Sequence, residues 1–158
     1  NIEVQHLHVP EEALQELKDR FVLIYTGQRR LARNLLREVV GGYIGSNPNS
    51  LEVIYEIQRL AVLMKFELEK GNVDGFAELL ERHWELSRRL DGGSTNTCID
   101  QIFLSCEDLL EARMICGAGG GGFLQAILKK GCTKEQLRER IRSVFQDSGV
   151  DVWDCELV

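Results

Sequence analysis

The stretch RMICGAGGGGFLQAILKK, residues 113–130, decides how this chain is read. It sets five of the fifteen glycines within the six positions 117–122, between two short apolar runs. Glycine gives up more conformational freedom on folding than any other residue and weakens a helix or strand that it interrupts. So dense a cluster therefore marks a loop whose backbone must take positive φ or lie close to a neighbour. The runs on either side read as strands, giving a strand, loop, strand unit. Two glycines satisfy a hairpin turn. Five point to a nest of N–H groups, for which a phosphate or another phosphate-binding loop is the usual occupant.

Two familiar glycine motifs do not account for it. Gly117, Gly119 and Gly122 satisfy GxGxxG, but a dinucleotide-binding turn must open a helix, and FLQAILKK is short, bulky and bounded by KGC. A Walker A loop needs Gly-Lys-Ser or Gly-Lys-Thr where Phe123 and Leu124 stand. Phe123 reads as the apolar anchor of the hairpin rather than a ligand contact.

Working outward, Thr133 and Gln136 form a capping box for a helix using Leu137, Ile141, Val144 and Phe145, and VDVWDCELV closes the chain as a strand. Upstream, IEVQHLHV has strand character with a change of phase near Gln5 or His6, and Pro10 with its following acids opens a helix. The run FVLIYT suits a central strand and ends in the turn TGQ. Leu31, Leu35, Val39 and Tyr43 then mark a helix. A second buries Leu51, Ile54, Ile57, Ala61, Met64 and Leu68 and stops at Gly71, and a third carries Val73, Phe76, Leu80, His83 or Trp84, and Leu90. After DGGSTN a fourth places Cys98, Ile99, Ile102, Phe103, Cys106 and Leu109 on one side, capped by Thr97 or Ser94 with Asp100 at its positive end. Five strands and about six helices, the helices grouped in the middle, predict an α+β domain: a ferredoxin-like antiparallel sheet backed by helices.

Composition bounds the function. At 158 residues, 44% apolar and 28% charged, residues 1–158 have the proportions of one domain. The net charge of −6 argues against nucleic acid as a partner. No apolar run approaches the roughly 18 residues that a membrane span needs, so no membrane partner is expected. The five cysteines are spaced by 8, 10, 16 and 23 residues, match no zinc pattern and read as reduced thiols of a cytoplasmic protein. His6 and His8 alternate on a strand without a nearby acid or thiol, and no metal site is expected. With no initiating Met, and with Asn1 leading straight into strand-like sequence, the chain reads as a piece of a longer one.

GAGGGGF, residues 117–123, resembles the third signature of the galactokinase, homoserine kinase, mevalonate kinase and phosphomevalonate kinase superfamily, the GHMP kinases. More fully, LIYTGQRRLARNLLREVV, then LDGGSTNTCIDQIF, then GAGGGGF is similar to the carboxy-terminal part of L-fucokinases, including those fused to a fucose-1-phosphate guanylyltransferase. The resemblance covers nearly the whole chain. It implies the carboxy-terminal domain of an ATP-dependent sugar-1-kinase, with L-fucose as acceptor and a heptose as the alternative. The two earlier signatures of the superfamily do not occur in this sequence. In the family those segments bring the Mg²⁺ ligand and, in many members, the catalytic aspartate. The resemblance thus implies no catalytic residue in this chain, inactivity of the chain alone, and an amino-terminal kinase domain of the same protein as its partner. Apolar surface left uncovered without that domain would favour homo-oligomers.

By resemblance, Gly117, Ala118, Gly119, Gly120, Gly121 and Gly122 close the nucleotide site, and Thr26, Gly27, Arg30, Ser94, Thr95 and Asn96 lie near the sugar. Blander readings stand beside these. Arg29, Arg33 and Arg37 recur every four residues and suit a solvated face that includes Arg30, and Ser94 to Asn96 are ordinary helix-capping residues. A freestanding ferredoxin-like binding module is the other function class. The acidic balance and the lack of an RNA-binding aromatic pattern count against it.

Overall fold

The computed structural model describes residues 2–28, 48–90, 95–116 and 122–157. Helix α1 (Glu11–Arg20) runs directly into strand β1 (Phe21–Tyr25). Helices α2 (Pro48–Lys70), α3 (Val73–Leu90) and α4 (Thr97–Cys106) follow, and a single 3-10 turn (Glu107–Leu109) leads into β2 (Leu110–Ile115). Then come β3 (Phe123–Leu128), α5 (Lys134–Phe145) and β4 (Asp151–Trp153). The sheet order is β2-β3-β1-β4 with all neighbours antiparallel. β3 thus lies between β1 and β2, and β1 lies between β3 and β4, which is the interleaved pair of crossovers of a ferredoxin-like sheet. The expected α+β class is what forms.

Burial alternates along β1, with Val22 and Ile24 turned to one face, and the register places them opposite Ala126 and Leu124 of β3. That face carries the main core, where Val22, Ile24, Leu124, Ala126, Leu128 and Val152 pack with Ile99, Ile102 and Phe103 of α4 and Leu137 and Ile141 of α5. The opposite face carries a smaller cluster, Ala112 and Ile127 against Ala77 and Leu80 of α3, with Leu17 and Met64 packed beside it. In α3 the residues Val73, Ala77, Leu80 and Trp84 form the buried stripe, so Trp84 rather than His83 is the core residue. His83 is half-buried and shares a hydrogen bond of 3.2 Å with Ser87. The capping box at α5 forms as the sequence predicts: the Gln136 N–H donates to Thr133 Oγ1 at 3.1 Å and the Thr133 N–H to Gln136 Oε1 at 2.8 Å.

Two expectations are corrected. Residues 2–9 do not form a strand, and Ile2 and Val4 stand 95% and 80% exposed. A β-prone segment becomes a strand only when a neighbouring backbone accepts it; this one lies instead beside α2, where Lys65 Nζ donates to Gln5 Oε1 at 2.9 Å. On α2 the fully buried residue is Leu60, while Leu51 and Ala61, both expected inside, are exposed. The helix is apolar on more than one side, so its periodicity alone does not choose which stripe faces α3. The described residues hold four strands and five α-helices, and the helix expected from Arg29 lies outside them.

The end of α1 is fastened by a buried charge. Arg20, 6% exposed, donates from Nε to the Leu128 carbonyl at 2.8 Å and from Nη1 to Asp74 Oδ1 at 2.8 Å. Lys130 Nζ reaches the other Asp74 oxygen at 2.8 Å, and together the two cations hold that carboxyl below its ordinary range, Lys130 contributing most. One side chain thereby ties α1, β3 and α3 together. Arg20→Met is expected to lower the unfolding free energy by about 3 kcal/mol, because it strips the donor from a buried carbonyl and a partner from Asp74. Urea titration of the two proteins measures it, and equal midpoints would refute this role.

Candidate functional site at the glycine hairpin

β2 and β3 pair up to Ile115 opposite Leu124, and the Cys116 N–H donates to the Phe123 carbonyl at 3.1 Å. The glycine run is therefore the connection of a β-hairpin, as its flanks predict. Gly117, Ala118, Gly119, Gly120 and Gly121 lie outside the described residues, as do Arg30 and Ser94. Gly122 brings the chain back into β3 at φ +78°, a backbone state that favours glycine. Phe123 then anchors the strand, its ring 5.2 Å from Tyr25 and 5.1 Å from Trp153.

Gly122 is clamped to the end of β1. Its carbonyl accepts from the Thr26 N–H at 2.8 Å and its N–H donates to the Gln28 carbonyl at 2.9 Å, which carries the β1–β3 pairing past its last rung. Thr26 is 2% exposed, and its Oγ1 accepts the Gln28 N–H at 3.2 Å, a local turn typical of threonine after a strand. Gly27 sits at φ +74°, and a Cβ there would come 3.1 Å from the Ser148 carbonyl oxygen and 3.2 Å from the Gly149 carbonyl carbon. The turn before β4 thus closes against the turn after β1.

The start of α4 meets the same point. Asn96, rather than Thr97, caps the helix: its Oδ1 accepts the Ile99 N–H at 3.0 Å, and its Nδ2 donates to Gln28 Oε1 at 3.3 Å. Thr95 turns to its own helix and donates to Asp100 Oδ1 at 2.6 Å. It borders a groove of about 360 Å³ in which the Arg88 and Arg113 guanidinium groups lie over the Trp84 and Phe103 rings. Of the residues singled out from sequence, Thr26, Gly27, Asn96 and Gly122 are brought together, and Thr95 faces the adjoining groove. Gln28 joins all three segments and was missed. Its only signal is its place in TGQ, directly after a strand, and glutamine carries no distinctive turn chemistry.

Chemically, this arrangement can donate and accept hydrogen bonds. The assembled groups are neutral: backbone N–H and C=O, a hydroxyl and two carboxamides. The bordering thiols of Cys98 and Cys116 are both pushed up by burial and stay protonated at neutral pH. All five cysteines are free. Among the described residues, no group of three or more His, Cys, Asp or Glu is placed to hold a metal ion, and no helix is long and apolar enough to cross a membrane.

No family model matches the chain. It is 28% identical over 140 residues to the bifunctional fucokinase/GDP-fucose pyrophosphorylase of Arabidopsis thaliana, which covers 89% of this chain and 13% of that protein. It is 29% identical over 133 residues to the L-fucokinase/L-fucose-1-P guanylyltransferase of Bacteroides fragilis, covering 84% of this chain and 14% of that one. The D-glycero-alpha-D-manno-heptose 7-phosphate kinase of Campylobacter jejuni is 27% identical over 122 residues, covering 77% and 35%. Among solved structures, the mevalonate kinase of Methanococcus jannaschii matches with a TM-score of 0.69 at 20% identity, over 95% of this chain and 43% of that one. The L. major mevalonate kinase bound to R-mevalonate matches with a TM-score of 0.70 at 14% identity, over 85% and 41%.

These likenesses define a class: the chain has the α+β fold found in the GHMP kinases. The resemblance read from its three ordered motifs is borne out: its sequence is similar to two fucokinases and to a heptose phosphate kinase. The chain spans well under half the length of each curated relative it matches.

The two described glycines of the site differ in what surrounds them. Both take positive φ, but a Cβ on Gly122 would meet no described residue within 4 Å, whereas one on Gly27 would press on backbone. Gly122→Ala is expected to lose about 1 kcal/mol, the penalty of the left-handed state alone, and Gly27→Ala about twice that. Thermal or urea unfolding ranks the pair, and the reverse order would show that the packing at Gly27 is not what the structure implies.

Proposed function

We propose that this chain is the carboxy-terminal lobe of an ATP-dependent sugar-1-kinase acting on L-fucose, forming L-fucose 1-phosphate and ADP. The observation that carries the reading is the clamp at Gly122: a loop of almost bare backbone is mounted on the end of a rigid sheet, beside the Thr26 turn and the amide cap of α4. The fucokinase relatives, which match over 89% and 84% of the chain, support L-fucose as the acceptor. The heptose 7-phosphate kinase, at 27% identity, makes a heptose the second reading.

In this reaction the anomeric hydroxyl oxygen bonds to the γ-phosphorus of ATP, the bond from that phosphorus to the leaving ADP oxygen breaks, and the hydroxyl proton passes to a base. Such a transfer asks a protein mainly for positioning and for charge stabilisation around the moving phosphoryl group. This lobe supplies positioning. Its glycine loop closes the nucleotide site against a second lobe, since backbone without side chains lets two loops approach to hydrogen-bonding distance. The base and the acids that hold Mg²⁺ belong to that second lobe, which is the partner of this domain. When bound, Mg²⁺ neutralises charge on the phosphates.

The intact protein is expected to phosphorylate L-fucose at the anomeric position, measured as ADP release with the product fixed by NMR. Turnover of heptoses without L-fucose selects the second reading, and no sugar turnover refutes both. Gly120→Val in the intact protein is expected to cut kcat about a hundredfold, roughly 2.7 kcal/mol in the barrier, while leaving the fold formed. Unchanged kinetics would remove the glycine loop from the nucleotide site.

A further inference from the structure

We infer that Gln28 is a sugar-binding residue of the proposed kinase, its Nε2 amide donating to a hydroxyl oxygen of the acceptor. The inference rests on the kinase reading. What carries it is a sequence of forced orientations. The first turn of α4 presents the Ile99 N–H, which only an acceptor can satisfy, so Asn96 must turn Oδ1 to it. That leaves the Asn96 Nδ2 pointing at Gln28, and a donor there requires Gln28 to answer with Oε1, 3.3 Å away. The Nε2 of Gln28 is therefore the end turned away from Asn96, and it takes no partner among the described residues. The helix cap thus fixes which end of each carboxamide is the oxygen.

The rest of the residue is fixed as well. Its N–H is held by Thr26 Oγ1 at 3.2 Å and its carbonyl by the Gly122 N–H at 2.9 Å, yet the residue is exposed. A donor whose backbone and amide oxygen are both tied down is already oriented before a ligand arrives. The chemistry around it selects the ligand. Thr26, Asn96 and Gly122, the residues bonded to Gln28, carry no charge, which suits a neutral hydroxyl; phosphate recognition recruits guanidinium or ammonium groups or a run of backbone N–H.

Two substitutions in the intact protein separate this role from a structural one. Gln28→Glu keeps an acceptor for Asn96 and discards the donor, whereas Gln28→Ala discards both. Each is expected to raise the KM for the sugar about tenfold, the loss of one well-placed hydrogen bond, with the KM for ATP and kcat unmoved. If Gln28→Glu matches the parent while Gln28→Ala is impaired, Gln28 only holds Asn96 and the inference fails. It fails equally if both variants match the parent, or if the rise falls on ATP instead of sugar. A parent protein that phosphorylates no sugar overturns the kinase reading first and this inference with it, so the two failures are told apart by the parent alone.

Discussion

Two hydrogen bonds set the geometry on which the candidate site depends: the Thr26 N–H to the Gly122 carbonyl and the Gly122 N–H to the Gln28 carbonyl. They extend the contact of β1 with β3 beyond Tyr25 opposite Phe123, with Thr26 and Gln28 both bonded to Gly122 around the turn at Gly27. β1 is an inner strand, held on its other side by β4, so these bonds start from the interior of the sheet. The Cys116 to Phe123 bond closes the hairpin from the β2 side. Both strands are thus held in register up to the residues that flank the glycine run. Side chains back the clamp on both faces, with Ile24 and Leu124 in the main core and the Tyr25, Phe123 and Trp153 rings in mutual contact opposite.

The parts of this fold legible in the sequence are those written in local chemistry. The hairpin followed from a glycine cluster between apolar runs, and the start of α5 from Thr133 and Gln136, whose reciprocal bonds form within four residues. The α+β class followed from the order of such elements. What failed depended on partners distant in sequence. Residues 2–9 have the alternation of a strand, but alternation does not supply a neighbour. α2 has apolar residues on several sides, and only the packing of α3 selects Leu60. The cap of α4 shows the same limit at short range: Ser94, Thr97 and Asn96 all suit a cap, and the bond from Ile99 chooses Asn96. Thr26 and Gly27 could be singled out from the strand end, but Gln28 could not, because its importance comes from where Gly122 and Asn96 arrive.

Three acids are engaged in ion pairs away from the hairpin clamp. Asp74 serves Arg20 and Lys130, and Asp108 is bound by Arg140 at 2.7 and 3.1 Å. Glu81 is used at the edge of the sheet, where its Oε2 accepts the Arg113 N–H at 2.9 Å and its Oε1 accepts from Arg113 Nε at 3.1 Å. Burial pushes that carboxyl up although Arg113 opposes it. An edge strand whose N–H is already taken is a poor template for another chain, which gives Glu81 a protective task on β2. Thr26, Gln28, Asn96 and Gly122 themselves carry no charge, while Asp151 of β4 stands opposite Tyr25 at the same end of the sheet.

The two described glycines separate two reasons for using bare backbone. Gly27 is explained from within the domain, since the turn at Ser148 and Gly149 occupies the space its side chain would need. Gly122 is not, because no atom of the described residues lies within 4 Å of where its Cβ would be. Its positive φ accounts for glycine at that one position, at the exit from the loop, where the chain must turn into β3. A hairpin needs such a residue once or twice, and the run holds five glycines in six positions. On the kinase reading proposed above, the further glycines serve the close approach of a second lobe. On that same reading this domain contributes neutral, pre-oriented donors, and proton transfer and metal binding fall to the other lobe.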